Sequence, residues 1–263
     1  MYEISGVLKK ILFLTSLLCL MFYVFRKEIS GFFSSLTGYI VMILFITITG
    51  LFLWVFEGPM NIIDGGYATL DSLFFLAPWV FLILVPSVTM RMFSEEKKTG
   101  TLDLLLTRPL SEAKIISAKY FAALAVILLS LLPTLIYYLS LVLLGNPTGN
   151  LDTGGTWGSY IGLFFLAASY AIIGLCCSSL TDNVIVAFLL TVALCMFICF
   201  GFDQIGNLNV VSAIGGTLQK LGIAEHYRSM SRGVIDSRDI VYFLALNAIF
   251  FLLTRYNLER RKW

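Results

Sequence analysis

A large group of ionisable side chains that could act together lies in residues 91–119, RMFSEEKKTGTLDLLLTRPLSEAKIISAK, a long polar interruption between strongly apolar segments. Charges of both signs surround a small leucine cluster, and the chemistry this offers is recognition of another surface. Its local punctuation is specific. Glu95 and Glu96 precede Lys97 and Lys98, so a helix leaving the previous apolar segment ends with cations in its last turn. Gly100 suits the position just past that helix, where a left-handed backbone costs least. Thr101 is a good N-cap, and Asp103 puts an acid in the first turn of a new helix. Pro109 turns Arg108 away from helical geometry and stops that helix after about two turns. Ser111 can cap the next helix, with Glu112 at its start.

The spacing therefore predicts a short helix over 102–107, clamped between two longer elements and lying across their ends. Leu102, Leu105 and Leu106 fall on one face by i, i+3, i+4 spacing. An apolar face with a charged rim suits a groove on another protein. The competing reading is a connecting loop lying on lipid headgroups.

The elements around this loop must be solvated by lipid. The sequence is 59% hydrophobic and 13% charged, with a mean hydropathy of +0.90, whereas soluble domains average about 25% charged residues. The class is an all-α polytopic membrane protein. Its expected domain, residues 26–263, holds six spans at about 38–56, 72–92, 115–144, 157–179, 184–202 and 238–256, each able to satisfy its backbone only as a helix. Pro78 and Pro86 in the second and Pro133 in the third predict kinks. The helix over 112–144 is about 50 Å long at 1.5 Å per residue, so its charged first turns are expected to project beyond the membrane. Residues 26–36 place Ile29, Phe32, Phe33 and Leu36 on one stripe with Arg26 and Lys27 at the beginning, an amphipathic helix lying in the interface. Residues 1–25 form an atypical apolar extension. Its core of about 15 residues is short for a span, which needs about 20; it reads as a signal-like or interfacial segment, or Met21 is the natural start.

Lys and Arg distribute unevenly. Residues 26–27, 91–119 and 255–262 carry them, while the intervening loops 57–71 and 145–156 carry acids and no Lys or Arg. The positive-inside rule puts both termini and the 91–119 loop in the cytoplasm. Residues 204–238 form the exception on the far side, with Lys220, Arg228, Arg232 and Arg238. There Val210, Val211, Ile214, Leu218 and Leu221 make an apolar stripe, which reads as an amphipathic or re-entrant hairpin before the last span. His226 follows it without an identifiable partner and reads as structural. Ala167, Ala171, Gly174 and Ser178 give the fourth span a face of small residues, fit for internal packing or for a seam between chains.

Several functions lose their basis. No GxxxxGK[ST] appears, so ATP hydrolysis is not expected of this chain. All five cysteines lie in apolar runs; Cys195 and Cys199 share a face with no His or acid beside them, so no metal site is expected. Acids, lysines and histidines are nearly absent from the spans, which argues against ion-coupled carriage and against intramembrane catalysis. No catalytic residue is assigned.

The run Met90-Arg91-Met92-Phe93-Ser94-Glu95-Glu96-Lys97-Lys98-Thr99-Gly100-Thr101-Leu102-Asp103-Leu104-Leu105-Leu106-Thr107-Arg108-Pro109-Leu110 resembles the loop after the second span of ABC-2 type permeases. Their pattern is roughly Arg-x-Phe-x-Glu-Glu-x-x-x-Gly-Thr-x-(Glu/Asp)-x-Leu-Leu-(Thr/Ser)-x-Pro. Residues 231–239 look like that family's segment before its last span. Residues 26–35 with Gly38-Tyr39, residues 61–64 and residues 145–152 are similar to one branch, the gliding-motility-associated (GldF-like) permeases of Bacteroidetes. Residues 1–20 depart from that branch.

The resemblance implies a multi-pass subunit of the bacterial inner membrane, in contact with lipid and not with nucleic acid. It implies a second permease chain, in a homo- or heterodimer, and cytoplasmic ABC ATPase subunits, themselves dimeric. ATP and magnesium would sit on those subunits, with no cofactor on this chain. The short helix corresponds to the family's coupling helix, with Glu95, Glu96, Thr101, Leu102, Asp103, Leu105, Leu106 and Arg108 as the contact set. Export linked to gliding motility is the implied function. The alternative is a non-transporting adaptor that passes ATPase strokes to envelope or motility machinery; an unrelated carrier is a distant third.

Overall fold

A computed structural model describes residues 21–107, 111–147, 149, 151–206, 216 and 219–260. Every regular element among them is helical. We number the helices in chain order: α1 Met21–Ser34, α2 Leu36–Trp54, α3 Ile62–Gly65, α4 Asp71–Thr89, α5 Arg91–Lys98, α6 Thr101–Leu106 and α7 Glu112–Leu131. Then come α8 Leu135–Leu144, α9 Thr153–Leu180, α10 Val184–Met196, α11 Phe202–Gly206, α12 Ile223–Met230 and α13 Ser237–Arg260. Among the described residues five helical stretches are long and apolar enough to cross a membrane, or six when α1 and α2, bent by 69°, count as one.

α9 is the axis. It packs against α4, α5, α7, α10, α12 and α13 and is the most enclosed of the spans. The small residues expected on one of its faces explain this. Ala167, Ala171, Gly174 and Ser178 are all buried, and a Cβ on Gly174 would collide with the Thr89 hydroxyl and come within 3.2 Å of Thr191. Within this chain that face serves packing.

Local chemistry set several boundaries and missed others. Ser111 is the N-cap residue of α7, and Pro133 falls in a 3₁₀ turn, Leu132–Thr134, that separates α7 from α8. By contrast α4 runs unbroken through Pro78 and Pro86 and stops only at Met90. The fifth span is longer than the expected 184–202 and continues through a π-helical turn, Phe197–Gly201, into α11. The charged first turns of α7 are enclosed by other helices: Glu112 and Lys119 are buried. Val210, Val211, Ile214 and Leu218 of the expected stripe and residues 1–20 of the expected extension lie outside the described residues; Leu221 is exposed, and residues 21–25 form the start of α1.

Candidate docking site

The region predicted to dock a partner is a helix pair, α5 and α6, at the end of α4. Gly100 joins them at φ 71°, ψ 4°, the left-handed conformation expected from its place after Lys97 and Lys98. Gly100 also occupies the N-cap of α6. Thr101 is thus the first helical residue and not the cap, and its hydroxyl lies 2.9 Å from that of Thr99.

α5 is anchored on three sides. The Ser178 hydroxyl of α9 accepts from the backbone N–H groups of Phe93 and Ser94, both at 3.0 Å, and donates to the Met90 carbonyl at 2.9 Å. A single side chain thus satisfies backbone groups freed where α4 ends and α5 begins. The Lys97 ammonium donates to the Ser179 carbonyl at the end of α9, a favourable place for a cation. On the other side Lys119 of α7 pairs with Glu96 at 3.0 Å and donates to the Met92 carbonyl at 2.6 Å. The same ammonium pairs with Glu28 of α1 at 2.6 Å, and Lys27 pairs with Glu96 at 2.7 Å.

This arrangement sorts the predicted contact set. Glu95, Thr101 and Asp103 are exposed, together with Lys98, Leu104 and Thr107; Glu95 and Thr101 border the cleft between α1 and the α4–α5 junction. Glu96 is turned inward and held by Lys27 and Lys119, because its place on α5 faces α1 and α7. Leu102 is 0% exposed and Leu105 half-buried, both packed on this chain's own core. The expectation that this leucine face is offered to a partner is corrected: the 3.6-residue period identifies an apolar face but not whose core it enters. Leu104, at 69% exposure, is the leucine presented outward. The Leu106 side chain and Arg108 lie outside the described residues. In α1, the helix expected to lie in the interface, Arg26 is exposed, Lys27 is taken up by Glu96, and Ile29, Phe32 and Phe33 are half-buried.

Sequence reasoning missed Glu28, Lys119 and Ser178 as organisers of this site. For Lys119 a signal exists. It falls on a stripe with Ile115, Ile116, Ala122 and Ala123, all buried, and a lysine on an apolar stripe implies buried anions. Those anions, Glu28 and Glu96, are far away in sequence.

At the other end of the bundle, α12 buries Ile223, Tyr227 and Met230. Tyr227 donates to the Phe74 carbonyl at 2.7 Å; burial, with Cys199 nearby, pushes its phenol well above the ordinary tyrosine range, which keeps that proton in place. His226 does have a partner after all: Nδ1 lies 2.7 Å from Asp239 and Nε2 lies 2.9 Å from the Lys220 carbonyl, with the ring stacked on Tyr242. A cleft of about 750 Å³ opens beside α12, walled by Phe75, the stacked Trp79–Phe200 pair, Asp71, Arg228 and Arg232. No group of His, Cys, Asp and Glu among the described residues is arranged to hold a metal ion.

Long apolar helices packed on a central one, with a short charged helix pair held at one end, define a helical multi-pass membrane protein. A family model described as an ABC-2 family transporter protein matches residues 56–222, more than half of the chain and all of α4 to α11. The chain belongs to that family, whose members are the membrane components of ABC transporters and work with ABC ATPase subunits. A comparison with curated proteins gives no match.

Proposed function

We propose that this chain is the membrane subunit of an ABC exporter of the bacterial inner membrane, and that ATPase subunits dock in the cytoplasm on the outward face of α5–α6. The observation that supports this is a small charged face, Glu95, Lys98, Thr101, Asp103 and Leu104, on a helix pair held on three sides. A mobile polar connector would not need Ser178, Lys97 and Lys119 to fix it. The contact set narrows to these outward residues; Glu96 and Leu102 support the face from behind. The similarity of residues 26–35, 61–64 and 145–152 to gliding-motility permeases supports export linked to that machinery, with a second permease chain completing the pathway.

The test is co-expression with candidate ATPase subunits and purification in detergent, comparing the native chain with Glu95→Arg plus Asp103→Arg. The native chain should retain the ATPase and the double reversal should lose it, while both elute as folded, monodisperse protein. Retention by both would sink the docking assignment. The adaptor reading predicts the same capture, together with a stable protein partner at the α12 end and no substrate-dependent change in ATP hydrolysis.

A further inference from the structure

The four charges at the root of the docking pair, Lys27 and Glu28 on α1, Glu96 on α5 and Lys119 on α7, sum to zero and form one connected cluster. Lys119 is its centre. At 0% exposure its ammonium donates to Glu28 and to the Met92 carbonyl and forms an ion pair with Glu96 at 3.0 Å. Its charge lies 5.1 Å from the centre of the Phe93 ring, which adds a weaker attraction.

Stability alone does not account for such a cluster. Burying ions costs desolvation that their attraction only roughly returns, and apolar side chains of similar volume do as well or better. Apolar packing is also interrupted here. A cleft of about 430 Å³, lined by Gly31, Phe32 and Ser35 of the α1 side and by Ser87, Val88 and Arg91 of the other, separates α1 from the α4–α5 junction. The ionic bonds bridge α1 to α5 beside that gap. Unlike apolar contacts, they fix direction and register.

We infer that Lys119 is a positioning residue that locks α1 to the α5–α6 pair, so that the interfacial helix and the docking helix move as one body when ATPase subunits pull on α6. This rests on the docking assignment above. The lock makes the interfacial helix part of the moving unit. A displacement at α6 then reaches the start of the first span through α1 as well as the second span through α4.

The test uses the full chain, with its co-purified ATPase subunits, in lipid nanodiscs. Spin labels are placed on exposed Ser30 and Thr107 in a Cys19→Ser background, the four described cysteines being buried. Pulsed dipolar spectroscopy reads the distance with and without ATP and vanadate. In the native chain the 30–107 distance should stay fixed on nucleotide trapping. In Lys119→Met it should broaden and shift on trapping, with the ATPase still bound, and Lys119→Arg should restore the fixed distance. Should Lys119→Met fail to fold, Glu28→Ala combined with Lys27→Ala, which removes both bonds from α1 to the cluster and leaves Lys119 paired with Glu96, should give the same nucleotide-dependent shift. A native distance that changes on trapping, or a distance that stays fixed in the variants, overturns the lock. Failure of the native chain to hold any ATPase overturns the docking assignment instead.

Discussion

The two ends of the bundle are fastened by different chemistry. At the α6 end, long side chains reach between elements: Lys119 to Glu28 and Glu96, Lys27 to Glu96, Lys97 to the end of α9. At the α12 end the backbones themselves touch. A Cβ on Gly158 would stand 2.7 Å from the Gly233 carbonyl oxygen, one on Gly162 would stand 2.6 Å from the Met230 Cβ, and one on Gly233 would collide with Gly155. Ser159 adds a hydroxyl bond to the Ser231 carbonyl at 2.8 Å. The first end is held by directional charge contacts over long side chains, the second by close approach of backbone, so the two should fail in response to different substitutions.

This contrast can be broken most severely at the α12 end. Gly233→Val places a branched side chain at φ 81° against Gly155. Strain and overpacking together should cost about 3 kcal/mol or more, read as a large drop in the detergent melting temperature. Next comes the ion cluster. Lys119→Met leaves Glu28 and Glu96 without their buried cation and should cost about 3 kcal/mol. Adding Glu28→Gln and Glu96→Gln should recover most of that loss, because removing both sides of a buried pair is far cheaper than removing one. A triple variant as unstable as the single one would mean that the cluster is held by packing and not by charge.

Ser178→Ala should cost less, about 1–3 kcal/mol, since it orphans the Phe93 and Ser94 amides at the α4–α5 break. Hydrogen exchange should rise at those amides while α12 stays protected. The smallest effect is expected at Arg255, whose bond to Glu259 is a half-exposed i, i+4 pair. Arg255→Ala should change stability by at most about 0.5 kcal/mol.

Composition and local pattern made much of this legible. Lipid-solvated helices followed from apolar excess, since a spanning backbone must bond internally. The α5–Gly100–α6 turn followed from nearest-neighbour rules: cations in the last turn, a glycine free to adopt positive φ, an acid in the first turn. These effects act within four residues, so one sequence contains them. The π turn at Phe197–Gly201 and the uninterrupted passage of α4 through two prolines did not follow, because neighbouring helices decide how freed backbone groups are satisfied.

By itself the sequence determined that this is a helical membrane protein with a short charged element, a helix pair, between two long apolar stretches. It also determined where that element turns. Only the tertiary structure decided which way the element faces. Glu95 and Glu96 are adjacent and chemically equal, yet one is exposed and the other locked between two lysines. Leu102 and Leu104 are equally apolar, yet one enters the core and the other stands outward. Side chains one or two positions apart on a helix point to different sides, and what lies on each side is set by helices dozens of residues away. Lys119 shows the same thing from within: its charge is written in the sequence, but the two carboxylates that make it a lock come together only when α1, α5 and α7 pack.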